Sequence, residues 1–529
     1  MNGRAGIAAV AVIGAVALAR FAPEAVRIDR EAREGFGRLA VAALVVALTA
    51  CAVHAWRRGL PGAIPALPLL LAALPSVMRH TKAVLLLTLL VLVLVAALEL
   101  VPWVVRLDTA NRRIAGATAA ACLVFLGSWT LLHQLWYSPY QIIDTMIYQG
   151  YGDQMSAGKV PYRDFELEYP PGALAAFVAP ELTAQRGDFG TYGHSFEKWM
   201  AGCGIAMVVF VGFGLAALRA PPVETAAALG LAALSPLLLG NVLLSRFDLL
   251  PTALTAAVLA ALLLRRDALA GVLLAVAIAV KLYPGVVVPL GVAWIWRRRG
   301  REPALRWLAL VVGVTAVIFL PFAVISPGGF AHAFGVQLGR PLQLESLGAA
   351  LLIAAHHVAD VRLVLHSDHG SQNIETGAAS VLAVLTSIAQ VGGIVWVAWA
   401  FARGPAAKER LVVAAAAAIA AFMAFNKVFS PQFMIWLVPV VALVRGWWPR
   451  ALLAASLVLT QLWFPRDYWH LSLEFRARES WLLLARDLAV VALFVVLARN
   501  LLQHERLGED SAVREPLEPV RGQVEVRPS

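Results

Sequence analysis

Five carboxylates and four tyrosines stand within residues 144–172: Asp144, Asp153, Asp164, Glu166 and Glu168 with Tyr148, Tyr151, Tyr162 and Tyr169. A carboxylate placed beside a bound hydroxyl can take its proton. If 142–156 is a helix, Asp144, Tyr148 and Tyr151 share one face at i, i+4 and i+7. Asp153, nine residues on, lies about half a revolution away, so only one of the two acids faces a shared cleft unless the helix breaks at Gly150 or Gly152. Pro170 and Pro171 fix the backbone after Glu168 and hold that carboxylate for a structural hydrogen bond or for a ligand. Three cations, Arg246, Lys281 and Lys427, fall at the ends of three different apolar runs. Cations in such poorly screened places can clamp an anion; each alone also fits an interfacial anchor.

These groups need a scaffold, and the composition says what kind. Of 529 residues, 60% are hydrophobic and 15% charged, against about 25% charged in soluble domains. Mean hydropathy is +0.74. Apolar runs fall at 5–21, 38–55, 61–78, 83–105, 114–136, 198–218, 223–243, 249–264, 267–281, 284–296, 304–325, 378–402, 409–425, 431–445, 449–465 and 480–500. Most suit a hydrocarbon layer roughly 30 Å thick, where backbone polar groups must pair internally. The fold class predicted is all-α: a polytopic helical membrane protein with two long loops, 137–197 and 326–377. Cys51, Cys122 and Cys203 lie in apolar runs without metal-ligand spacing and read as small hydrophobes.

The net charge of +11 suits cytoplasmic loops rather than nucleic acid. Pro284 disfavours helix at Tyr283. A break there puts every short basic loop (Arg106/Arg112/Arg113, Arg265-Arg266, Arg297–Arg299, Arg403/Lys408/Arg410, Arg445/Arg450) on one side. Both termini then lie in the cytoplasm, and the chain after Asn500 is expected to be disordered. The opposite, non-cytoplasmic side holds both long loops and the segments around Arg246-Phe247-Asp248, Lys281-Leu282-Tyr283-Pro284, Asn426–Pro431 and 465–479. One functional site on that face is the expectation.

Asp144-x-x-x-Tyr148, Gly158-x-x-Pro-Tyr162-x-Asp164-Phe165 and Glu168-Tyr-Pro-Pro-Gly172 resemble the GT-C superfamily of membrane glycosyltransferases. Within it, the chain is most similar to the polyprenyl-phosphate-mannose-dependent α-mannosyltransferases of actinobacterial cell envelopes. Arg246-Phe-Asp248-x-x-Pro251, Lys281-Leu-Tyr283-Pro284, Arg340-Pro-Leu-Gln343-Leu-Glu345-Ser346 and Asn426-Lys427-Val-Phe-Ser-Pro431-Gln432 follow in order. Residues 106–501 would then be the transferase domain, 502–529 a tail and 1–105 four added spans, where family members usually have one span before the acidic loop. The resemblance implies a lipid-linked sugar donor and a glycan or glycolipid acceptor, in contact with membrane lipids. Asp144 would be the base, with Tyr148, Asp164, Glu168, Arg246, Asp248, Lys281, Tyr283, Arg340, Gln343, Glu345, Lys427 and Gln432 around the substrates. The paired-acid motif of metal-dependent relatives is missing from the first loop, so neither metal nor other cofactor is expected. Five loop histidines (His332, His356, His357, His366, His369) read as ordinary loop residues.

The rival from another class is a transporter or flippase of lipid-linked sugars, which would face ionisable residues across the bilayer midplane. A non-catalytic scaffold is a third. Sugar, acceptor and oligomeric state are left open by the residues.

Overall fold

The computed structural model describes residues 108–134, 142–181, 184, 187–368 and 370–513, with side chains as far as 503. The four spans expected within 1–105, Cys51 and His369 lie outside these residues. The chain divides into two units, 1–112 and 113–529, and the first is described only from residue 108.

Helices coincide with the apolar runs: α1 (Thr109–Leu131), α4 (Phe189–Ala217), α5 (Pro222–Leu239), α6 (Leu249–Leu263), α7 (Asp267–Val280), α8 (Val288–Arg299), α9 (Arg301–Ile325), α12 (Gly377–Arg403), α13 (Lys408–Ala424), α15 (Trp447–Gln461) and α17 (Ala477–Val513). Among the described residues, six helices are long and apolar enough to cross a membrane, and four shorter apolar helical segments accompany them. The protein is an all-α, multi-pass membrane protein. The run at 431–445 is not one helix. It is a 3-10 turn, Pro431–Trp436, leading into α14, Leu437–Ala442, because prolines at 431 and 439 remove donors from an α ladder. The tail expected over 502–529 is described only as far as residue 513. Helix continues through Val513, since Gln, Glu, Arg and Leu there propagate an existing helix at little cost.

Burial sorts the helices. α6, and α13 after its opening Lys408-Glu409-Arg410, are apolar and buried on nearly every side, as core helices must be. The apolar windows of α9 and α12 are only 6% and 11% buried, so their side chains meet lipid. α4 packs on α6, α6 on α7, α7 on α9, and α13 and α15 on α17.

Where helices end at the arginine-rich side, basic side chains meet their free carbonyls. Lys408 Nζ donates to the Ala217 oxygen at 2.8 Å, Arg297 to those of Ala402 and Arg403 at 2.7 and 3.3 Å, and Arg450 to that of Ala442 at 3.0 Å. Arg410, fully buried, donates to three carbonyls around the α12 terminus. Helix C-termini carry partial negative charge and favour such donors.

The two long loops are structured. The first holds α2 (Thr145–Ser156), a 3-10 turn at Pro171–Ala173 and α3 (Leu174–Glu181). The second holds α10 (Pro327–Gly339), β1 (Leu342–Gln343), α11 (Leu347–Ala359), β2 (Leu365–Asp368) and β3 (Ser371–Ile374). The strands form one antiparallel sheet in the order β1-β3-β2. A short helix, α16 (Tyr468–Glu474), precedes α17.

Candidate active site

Asp144 is the residue before α2, and the predicted helical face follows it. Tyr148 and Tyr151 are buried at 1% and 8% exposure. Tyr148 stacks on Phe177 with centroids 4.7 Å apart and meets Phe247 edge-on, an arrangement aromatic quadrupoles favour. Its hydroxyl donates to Asp144 Oδ2 at 3.4 Å. Asp153 turns away; it stands near Tyr192 and Glu181 instead.

Arg246 forms an ion pair with Asp144 across a hundred residues of chain. The two side chains differ in access: 24% of the Asp144 side chain is exposed against 6% of Arg246. Arg246 also donates to the Ile142 carbonyl at 3.4 Å, so it grips the turn that presents the acid. A buried guanidinium thus fixes a carboxylate that reaches solvent.

Two residues on, Asp248 is 1% exposed. Its Oδ1 accepts from Lys281 Nζ at 2.6 Å and from Trp436 Nε1 at 2.7 Å. Oδ2 is buried without a hydrogen-bond partner among the described residues. Lys281 holds this place because α7 stops at Val280 and the chain turns extended at residue 281, the break expected before Pro284. The ammonium faces the rings of Phe247, Phe433 and Trp436 at 4.6–5.1 Å, and each such cation–π contact is favourable. Tyr283 stacks on Trp436 at 4.0 Å and shares a 3.0 Å hydrogen bond with Thr255. Pro170-Pro171-Gly172 docks on the same corner. A Cβ on Gly172 would lie 2.6 Å from the Ala279 carbonyl atoms, so only glycine permits the approach.

The second loop contributes Glu345, 3% exposed. Burial pushes its carboxyl up to about 7, against the pull of Arg486 and Arg340. It is hydrogen-bonded to Tyr468 and lies in the field of Arg246. Arg340 donates to Gln337 at 3.3 Å and to Ser371 at 2.8 Å, with Glu168 and Glu345 nearby. Gln343 joins Ser430 at 3.1 Å. Lys427 donates to the Leu338 carbonyl at 2.7 Å and senses Arg340.

Asp144, Tyr148, Arg246, Asp248, Lys281, Tyr283, Arg340 and Glu345, with Glu168 beside Arg340, therefore form one connected cluster. Other expected members stand apart. Asp164 has both carboxylate oxygens engaged, with Arg163 at 2.9 Å and the Val160 N–H at 2.7 Å; Arg163 holds its carboxyl down at about 2. It is a turn-forming residue. Lys427 and Gln343 act as ties between loops, and Gln432 is half-buried in the 3-10 turn Pro431–Trp436. The three cations thus do not converge as one clamp: Arg246 and Lys281 each hold a different carboxylate.

Arg486 and Asp487 were not among the expected residues. Both are at most 1% exposed inside α17 and pair at 2.9 Å. Arg486 donates to the Glu345 carbonyl at 2.7 Å and lies 4.0 Å over the Phe429 ring. One guanidinium so ties the Glu345 turn to the Asn426–Pro431 segment. Two adjacent charges within the run 480–500 are the mark that identifies them, because charge inside a span is costly and often functional.

Acids and cations thus gather in one cluster of a multi-pass helical membrane protein, a candidate active site. The family model of glycosyltransferase family 87 matches residues 167–431, half of the chain, and the chain belongs to that family. It is a membrane glycosyltransferase. The match includes Glu168, Arg246, Asp248, Lys281, Tyr283, Arg340, Gln343, Glu345 and Lys427, whereas Asp144, Tyr148, Asp164 and Gln432 lie outside it. No curated protein matches the chain.

Proposed function

We propose that the protein moves a hexose, mannose, from a polyprenyl-phosphate donor to a hydroxyl of a cell-envelope glycan or glycolipid, with Asp144 as the base. The observation that carries this reading is the Asp144–Arg246 pair: a solvent-reaching carboxylate anchored on a buried cation. The guanidinium holds the carboxylate in place. As the acceptor oxygen bonds the sugar carbon, its proton passes to Asp144 and the donor phosphate leaves with the electron pair of the broken C–O bond. This single displacement inverts the anomeric centre, so a β-linked donor gives an α-linkage. The phosphate is already a stable anion and needs positive charge more than a proton. Arg340, a member of the cluster and less enclosed than Lys281, is the cation for it.

Two features favour a lipid-borne donor. α6 and α7 have 15 and 14 residues, about 22 Å of rise, so Asp248 and Lys281 stop short of a hydrocarbon layer roughly 30 Å thick. Asp248 and Lys281 then sit below the outer surface. In addition, an apolar groove of about 470 Å³ runs between α12 and α17 and reaches Phe425, the neighbour of Asn426 and Lys427. The arginine-rich loops at the other end favour a cytoplasmic position for that end, which leaves the site on the non-cytoplasmic face of the cell membrane.

The test is turnover of synthetic prenyl-phosphate mannose by purified wild-type and Asp144→Asn protein, with the product linkage read by NMR. Loss of a general base lowers kcat about 10²–10⁴-fold. Unchanged turnover in the variant, or a retained β-linkage in the wild-type product, refutes the assignment.

A further inference from the structure

Asp144 directly precedes α2, yet its side chain makes no cap hydrogen bond to that helix. An aspartate at this position ordinarily accepts from the free N–H groups of the first turn, so the carboxylate forgoes a favourable contact. Its contacts fall on one oxygen instead. Oδ2 meets the Arg246 guanidinium and the Tyr148 hydroxyl, and Oδ1 has no partner among the described residues. We infer that Asp144 takes the acceptor's proton on Oδ1 and that Tyr148 is a positioning residue, which fixes the carboxylate by holding Oδ2; the inference rests on the glycosyl-transfer reading above.

Three observations carry it. The first is access. The Asp144 side chain reaches solvent while Arg246 and Tyr148, the two groups on Oδ2, are buried, so Oδ1 is the oxygen left for a ligand. Tyr148, expected among the substrate contacts, is too deeply buried to touch a substrate and can act on one only through Asp144. The second is the fixed ring. Tyr148 lies 4.7 Å from Phe177 and 5.6 Å from both Phe196 and Phe247, centroid to centroid. Rings on three sides hold the phenol in one orientation, with its hydroxyl 3.4 Å from Oδ2. The third is protonation. Burial, with Tyr169, Asp248 and Tyr151 nearby, holds the Tyr148 phenol well above its ordinary range. The hydroxyl therefore keeps its proton and is a donor, not a rival base. Its other neighbour is the Tyr169 hydroxyl. An ionised acceptor holds a proton donor better than a neutral one, so Tyr148 gives its single proton to Asp144 and is free to accept from Tyr169.

In this step the acceptor O–H bond breaks as its oxygen bonds the sugar carbon. The proton goes to Oδ1, and the donor phosphate leaves with the electron pair of the broken C–O bond. Arg246 and Tyr148 take no proton. They stop the carboxylate from turning about its Cβ–Cγ bond, a rotation that would exchange the two oxygens. Arg246 also donates to the Ile142 carbonyl at 3.4 Å, so one guanidinium restrains both the main chain and the side chain of this turn. A base held in its reactive geometry gains rate without any new substrate contact. Loss of the Tyr148 hydroxyl removes one of two restraints on Oδ2, and it should lower kcat without moving KM.

The experiment measures transfer from synthetic prenyl-phosphate mannose to octyl α-mannoside by four purified full-length proteins: wild type, Tyr148→Phe, Asp144→Asn and the double variant. Rates are referred to the folded fraction of each. Phenylalanine keeps the ring packing and removes the hydroxyl alone. Tyr148→Phe is expected to lower kcat about tenfold, the low end for a hydrogen bond to an ionised group, with KM for both substrates unchanged. In the Asp144→Asn background the same change should cost nothing further, because it acts through the carboxylate. Wild-type kcat in Tyr148→Phe, a raised KM at unchanged kcat, or an equal loss in both backgrounds overturns the inference. Wild-type turnover by Asp144→Asn, or no transfer by the wild-type protein, removes the base assignment and this inference with it. An inactive Asp144→Asn beside a fully active Tyr148→Phe removes only the role of Tyr148 and leaves the base standing.

Discussion

Replacing Lys281 by Met isolates what the buried Asp248 requires. Asp248 is 1% exposed, and its Oδ1 has two donors, the Lys281 ammonium at 2.6 Å and the Trp436 indole at 2.7 Å. Methionine keeps the apolar stem and still packs on aromatic rings, so little packing is lost. The ammonium is lost, and a buried carboxylate is left with one neutral donor. Breaking one side of a buried pair costs about 3–5 kcal/mol. The double variant Lys281→Met/Asp248→Asn removes the orphaned charge and should regain most of that, with a coupling energy of about 3 kcal/mol. The assay is a double-mutant cycle of unfolding in mixed detergent–SDS micelles, with turnover measured on the same four proteins. A Lys281→Met cost below about 1 kcal/mol, or a double variant no more stable than the single, refutes the reasoning. Turnover then separates two roles. Recovery of activity with stability makes the pair structural; a stable but inactive double variant assigns it to the reaction.

Glu345 should make stability fall as pH rises. Its folded carboxyl titrates at about 7 against an ordinary 4.5, so the folded state holds a proton that the unfolded state releases between those values. The loss across that window is up to about 3 kcal/mol, and Glu345→Gln should flatten the profile; a profile of the same slope in the variant refutes the cause. Gly172→Ala should destabilise by about 1–3 kcal/mol and lower turnover, because the new Cβ meets the Ala279 backbone beside Lys281; wild-type thermal stability would contradict the close approach. Arg486→Lys keeps the charge and loses the guanidinium fork. It should cost about 1–3 kcal/mol and reduce kcat through the Glu345 turn, and equal kcat would show that the turn is held by other contacts.

Much of this arrangement is legible in the chain because lipid imposes a strict rule: long apolar runs become helices. The break at Lys281 was readable from Pro284 and from the sidedness of the arginines. The face shared by Asp144, Tyr148 and Tyr151 followed from helical spacing. Partners across the fold were not readable. Spacing shows that Asp144 and Arg246 each stand at a loop, but not that they pair, nor that Lys281 chooses Asp248. Asp164 looked equal to Asp144 in residue type, yet its immediate neighbour Arg163 and the Val160 N–H engage it locally. Arg486 and Asp487 were hidden by an average. The run around them is apolar enough to be read as a plain span, and their pairing removes the cost that would otherwise have excluded them. The tail over 502–513 is helical because α17 seeds it, a cooperative effect that composition alone does not display.

The arginines and lysine that close helix ends at the basic side have a consequence for how the chain is threaded during synthesis. Positive residues are also the marks by which insertion machinery decides which end stays behind. Here such side chains also close helix ends: Arg297 on α12, Lys408 on α4, Arg450 on α14. Relocating them to reverse orientation would uncap the helices they finish, so a flipped chain would also be a poorly folded one. Orientation and folding would thereby be coupled through two guanidinium groups and one ammonium.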